Sequence, residues 1–141
     1  MLRERFDEYI RRFNAEDTTA FEEFLHPEMR MQNGLLVFHG VQGMKDHYAR
    51  IWGRFRESLT VERFVSDDVT VAVQLWAHFE ALGSHAESLF GPVTVGDCFD
   101  FRGLIMYRLG EGDLFTDIKV AYNSFTFTGT DGTVRELGAP H

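Results

Sequence analysis

The stretch Val69-Thr70-Val71-Ala72-Val73-Gln74-Leu75-Trp76-Ala77-His78-Phe79-Glu80-Ala81-Leu82 alternates strictly between two kinds of side chain. Val71, Val73, Leu75, Ala77 and Phe79 share one face, and Ala72, Gln74, Trp76, His78 and Glu80 share the other. That period of two is what a strand buried on one side requires. A strand this long needs neighbours, and the flanking sequence supplies them. Leu59 to Val65 reads as a strand before it, across an Asp67-Asp68 turn. Cys98 to Leu109 and Leu114 to Phe127 read as a hairpin after it, joined through Gly110-Glu111-Gly112-Asp113. Between them, Gly83 to Gly96 reads as an extended loop, and the polar tail beyond Gly129 reads as loose.

Before Ser58 the period is helical. Leu2, Phe6, Tyr9, Ile10 and Phe13 recur at steps of three and four up to about Ala15, which places them on one helix face. After the break at Asn14-Ala15-Glu16-Asp17, Thr19 and Glu22 have capping-box spacing ahead of Phe21, Phe24 and Leu25, and Pro27 stops this second helix. Met29 to Met31 and Leu35 to Phe38 are short extended candidates around Asn33-Gly34, a dipeptide suited to a tight turn. Val41, Met44, Tyr48, Ile51, Trp52 and Phe55 then form the apolar stripe of a third helix. Helices followed by a run of strands predict an α+β domain, with three N-terminal helices packed on one face of a curved antiparallel sheet and an apolar pocket between them. A single domain is expected, with its core at 2–128 and a loose tail at 129–141.

The bulk properties narrow the partners. The chain has 141 residues and a formal charge of −8, with its basic residues scattered or interleaved with acids, so nucleic acid and membrane are not expected partners. Fourteen phenylalanines are many for this length and call for a large core or a ligand cavity. The single cysteine, Cys98, excludes an internal disulfide, no apolar run reaches the roughly 18 residues of a spanning helix, and Glu4, Asp7 and Glu8 interrupt any signal-like start. A cytoplasmic protein is expected.

Two groups of residues resemble a known superfamily. Tyr9-Ile10-Arg11-Arg12-Phe13-Asn14-Ala15-Glu16-Asp17, followed by Phe24-Leu25-His26-Pro27-Glu28, resembles the opening of ketosteroid isomerases and the wider nuclear-transport-factor-like superfamily. Gly83-Ser84-His85, Gly91-Pro92, Thr94-Val95-Gly96 and Gly103 to Tyr107-Arg108 are similar to the SnoaL-like polyketide cyclase branch. The resemblance implies a cone-shaped α+β barrel, in which the three N-terminal helices and the curved antiparallel sheet enclose a hydrophobic pocket, and a small hydrophobic ligand. It retains the tyrosine of the first helix as Tyr9 and a supporting tyrosine as Tyr48. At the positions of the two catalytic carboxylates of ketosteroid isomerases it finds Asn33, which cannot act as a base, and Ile105.

The remaining polar groups offer several readings. Tyr9 and Tyr48 lie on inward stripes, where each hydroxyl needs a partner: a ligand carbonyl, the other hydroxyl or a buried water. His85 and Asp100 are the leading acid/base pair. Strict alternation nevertheless puts Asp100 with Arg102 on the face opposite Phe99 and Phe101, unless a bulge near Gly96 or Gly103 reverses it. His78 belongs either to an outer face shared with Trp76, where a homodimer would form, or to the pocket as a base. Asn33 and Asn123 can orient a ligand oxygen, and Phe38, Trp52 and Tyr107 are expected to shape the cavity. No metal-ligand spacing links His26, His39, His47 or His141, so neither metal nor other cofactor is expected. The resemblance implies the function of a cofactor-independent cyclase, isomerase or dehydratase acting on a polyketide- or terpenoid-like molecule. A non-catalytic binding protein and an epoxide hydrolase are the alternatives.

Overall fold

The computed structural model describes residues 1–138. Helices α1 (Arg3–Asn14), α2 (Thr19–Phe24) and α3 (Gly40–Ala49) pack against one sheet built from β1 (Leu25–Asn33), β2 (Leu36–His39), β3 (Phe55–Ser66), β4 (Thr70–Ala81), β5 (Cys98–Leu109) and β6 (Phe115–Thr128). The strand order is β2-β1-β6-β5-β4-β3, and a short seventh strand, β7 (Val134–Glu136), pairs with β6. This is the expected α+β cone, with a sheet that does not close on itself. Among the described residues no helix is long and apolar enough to cross a membrane.

The register of β4 bears out the alternation on which the fold was read. Val71, Val73, Leu75, Ala77, Phe79 and Ala81 are buried, and each intervening residue is half-exposed. The expectation of a wholly antiparallel sheet needs one correction, because β1 runs parallel to β6. Periodicity carries no strand direction, and no hairpin ties these two strands, which are joined only through the rest of the domain.

Other differences are local. The third helix ends at Ala49 rather than near Phe55, and Gly53, at φ +91°, turns the chain so that Phe55 already opens β3. Ile51 and Phe55 stay buried, so the apolar pattern continues although the helix does not. Pro27 lies within β1, where the pairing with β6 shifts register between Leu25 and Arg30, an irregularity that tolerates a residue without an N–H. The segment after Gly129 is tied down by β7: Glu136 accepts hydrogen bonds from Thr126 Oγ1 at 2.8 Å and from the Phe125 N–H at 3.1 Å. The remainder of the expected tail, with His141, lies outside the described residues.

Two register shifts between β5 and β6 aim the inner face. One lies between Arg102 and Gly103, where the partner residue jumps from Ser124 to Tyr122 and leaves Asn123 unpaired. A Cβ on Gly103 would meet the Ala121 carbonyl oxygen at 2.3 Å and Tyr122 Cα at 2.6 Å, so only glycine allows this approach of the two strands. The bulge moves the inward set of β6 from even to odd positions, and Val120, Tyr122 and then Phe125 face the interior. Elsewhere the interior is solid. Phe6, Phe13, Phe21, Phe24 and Phe115 bury completely beneath α1 and α2, in a web of edge and stacked contacts with centroids 4.7–6.5 Å apart.

Candidate active site

A cavity of about 320 Å³ lies between the helices and the inner face of the sheet, at the lower end of the roughly 300–1,000 Å³ usual for small-molecule sites. Tyr9 of α1 and Tyr48 of α3 line it from the helical side, and Ile105, Tyr107, Val120 and Tyr122 line it from the sheet. Leu89 and Phe90 cover it from the loop between β4 and β5. That loop is anchored by Asp97, a buried carboxylate that accepts hydrogen bonds from the Thr94 N–H at 2.8 Å and the Thr130 N–H at 3.3 Å.

Glu57 is the carboxylic acid on the cavity wall. Because β3 starts at Phe55, its alternation sends Phe55, Glu57 and Leu59 to the same side, and Glu57 is only 5% exposed. Its Oε2 is one of two buried side-chain polar atoms without a partner among the described residues; the other is Trp52 Nε1. Burial pushes the Glu57 carboxyl up to about 8, so near neutral pH it is mostly protonated. The phenols of Tyr9, Tyr48 and Tyr122 are raised above their ordinary value chiefly by burial, and further by the charge that an ionised Glu57 would place beside them. The cavity therefore gathers one carboxyl group and several phenols in their hydrogen-bond-donating forms. His47, on the same wall, is held below its usual value by burial and by the nearby Arg50, which favours neutral imidazole.

The residues singled out in the sequence divide into two sets. Tyr9, Asn33, Tyr48 and Tyr107 line the cavity. Trp52 stands behind the wall, with its ring 5.0 Å from that of Tyr48 and 5.3 Å from that of Phe13. Phe38 is half-buried against His47 at 4.9 Å, also outside the lining, and Asn123 is the exposed residue of the bulge. Asp100 pairs with His78 rather than with His85: His78 Nδ1 lies 2.7 Å from Asp100 Oδ1, which also accepts a hydrogen bond from Trp76 Nε1 at 2.6 Å. This cluster occupies the outer face of the sheet, because the bulge beside Gly103 lies on β6 and leaves the alternation of β5 intact around Asp100. His85 bridges to Val93 inside the loop and is not part of the cavity lining. The expected His85–Asp100 pair does not form.

Glu57 itself was not singled out. The signal was present, since Leu59 and Val61 set a phase that, traced back one step, includes Glu57. Extending the third helix through Phe55 concealed it.

The SnoaL-like domain model matches residues 6–118, most of the chain. The chain belongs to the SnoaL-like family. Solved structures with this SnoaL-like fold include one described as a candidate polyketide cyclase from Xanthomonas campestris pv. campestris, 18% identical over 80% of this chain and 84% of the other, with a TM-score of 0.66. The Delta 5-3-ketosteroid isomerase of a Mycobacterium species is 16% identical, with 84% of this chain and 92% of the other covered and a TM-score of 0.65. An LEH-like epoxide hydrolase of M. tuberculosis is 13% identical, with 83% and 78% covered and a TM-score of 0.66. At these identities the likeness is one of fold. No curated protein matches this SnoaL-like chain.

Proposed function

We propose that the protein is a cofactor-independent acid/base enzyme that isomerises, cyclises or dehydrates a small, hydrophobic, oxygenated molecule, with Glu57 moving the proton. The observation that carries this reading is the unpartnered Glu57 carboxyl, buried on the wall of an aromatic cavity and holding its proton to about pH 8. Such a group is poised for both directions of proton transfer near neutral pH, as acid toward a ligand oxygen and as base toward a carbon next to a carbonyl. Tyr9, with Tyr48 or Tyr122 beside it, would donate hydrogen bonds to the oxygen on which negative charge develops. Polyketide- and terpenoid-like ketones fit these requirements. The kinds of chemistry named for the fold neighbours, isomerisation, cyclisation and epoxide opening, support an acid/base role for such a cavity. The two positions where the resemblance to ketosteroid isomerases places carboxylates, Asn33 and Ile105, both line the cavity. Glu57 reaches the same space from a different strand.

The test is hydrogen–deuterium exchange at the α-carbons of 2-decalone and of a Δ5-3-ketosteroid in deuterated buffer, followed by NMR. The wild type should accelerate exchange above buffer, and Glu57→Gln should remove the acceleration. Binding of both ketones with no acceleration would overturn the enzyme reading and leave a small-molecule-binding protein. We propose further that two copies associate through the outer sheet face, where Leu104 and Met106 are 57% and 53% exposed.

A further inference from the structure

A second recess of the surface shares Leu36, His47, Ile51 and Leu89 with the inner cavity and so forms its mouth. Its own wall adds Arg50, Arg54 and Glu87. Nine of the fourteen Lys and Arg side chains make ion pairs with acidic groups among the described residues, but neither Arg50 nor Arg54 does. The polar contact of Arg54 is with the Glu87 backbone carbonyl, at 3.5 Å. Two guanidiniums that make no ion pair among the described residues thus line one opening of a protein whose net charge is −8. We infer that the substrate is amphipathic and anionic, with its apolar body in the inner cavity and a carboxylate or phosphate held at the mouth by Arg50 and Arg54.

The surrounding charges agree with this arrangement. Glu87 is the acidic group on the recess wall, so the two guanidiniums leave it net positive. Neutral His47 at the junction adds no charge and can still donate a hydrogen bond. The inner Glu57, protonated near neutral pH, does not repel an anion nearby. Guanidiniums bind carboxylate and phosphate oxygens through forked N–H donors, and such pairs are stronger than neutral hydrogen bonds. An anchor at the mouth would also fix which carbon of the body lies beside Glu57. The inference deepens the proposed function and rests on the same cavity.

Calorimetric titration of the full chain at low ionic strength with four ligands of one body tests it: 4-(2-naphthyl)butanoate, its methyl ester, the corresponding alcohol and the phosphate ester of that alcohol. At least one anion should bind about five- to tenfold more tightly than the ester and the alcohol, with the preference shrinking in higher salt. The acid and the phosphate ester together identify the head group. In R50Q/R54Q the ratio of anion to ester affinity should collapse toward one; both side chains are exposed, and an unchanged circular-dichroism spectrum and melting point verify the fold. Equal affinity of anions and neutral ligands, or a preference that survives R50Q/R54Q, would overturn the inference while leaving the cavity reading intact. Failure of all four ligands to bind would overturn both.

Discussion

Replacing Glu57 by Gln should change the pH dependence of stability in a way that no surface carboxylate can. In the folded chain the carboxyl titrates at about 8, against 4.5 when unburied. The unfolded chain therefore loses its proton first, and as pH rises deprotonation favours the unfolded state. The stabilising contribution of the raised pKa is complete below 4.5 and is lost as pH climbs through 8. At about 1.4 kcal/mol for each pKa unit, linkage gives a loss of about 4 kcal/mol between pH 5 and pH 9. Glu57→Gln keeps the shape and removes the titration, at a cost of about 1–3 kcal/mol for burying an unpaired amide. The variant should accordingly be the less stable protein at pH 5 and the more stable one at pH 9. Urea unfolding at 25 °C across this range measures both curves, and their difference cancels every other titrating group. Curves that run parallel from pH 5 to pH 9 would refute the burial argument and remove the basis for Glu57 as the proton carrier.

Gly103→Ala should destabilise the fold by about 1–3 kcal/mol in chemical denaturation, because the added methyl meets the backbone of Ala121 and Tyr122. Asp100→Asn should leave ketone exchange within about twofold of the wild type, since its carboxylate serves His78 and Trp76 on the outer face. A Leu104→Glu/Met106→Glu variant should sediment as a monomer where the wild type sediments as a dimer, because each change sets a charge at the centre of the proposed contact. Val120→Phe, which adds a ring to the cavity wall, should abolish binding of 2-decalone in calorimetry and shift stability by no more than about 1–3 kcal/mol.

The α+β class was legible because Val69–Leu82 has a strand period and Leu2–Phe13 a helical one, and each period survives in the folded chain. Tyr9, Tyr48 and Tyr107 were legible as cavity residues because hydroxyls on apolar stripes have nowhere to go but inward. Strict alternation pointed Asp100 outward but left His78 between two faces, and the folded sheet sets both on the outer face, where they pair. Other features depend on contacts between distant segments. The parallel pairing of β1 with β6, the bulge at Asn123 and the end of α3 at Ala49 arise where separate stretches of chain meet, and periodicity records the face of a side chain but not its partner. Glu57 shows the difference most clearly: residues 55–61 define its phase, but only the packing of α1, α3 and the sheet removes water from its carboxyl and turns an ordinary glutamate into an acid that titrates near neutral pH.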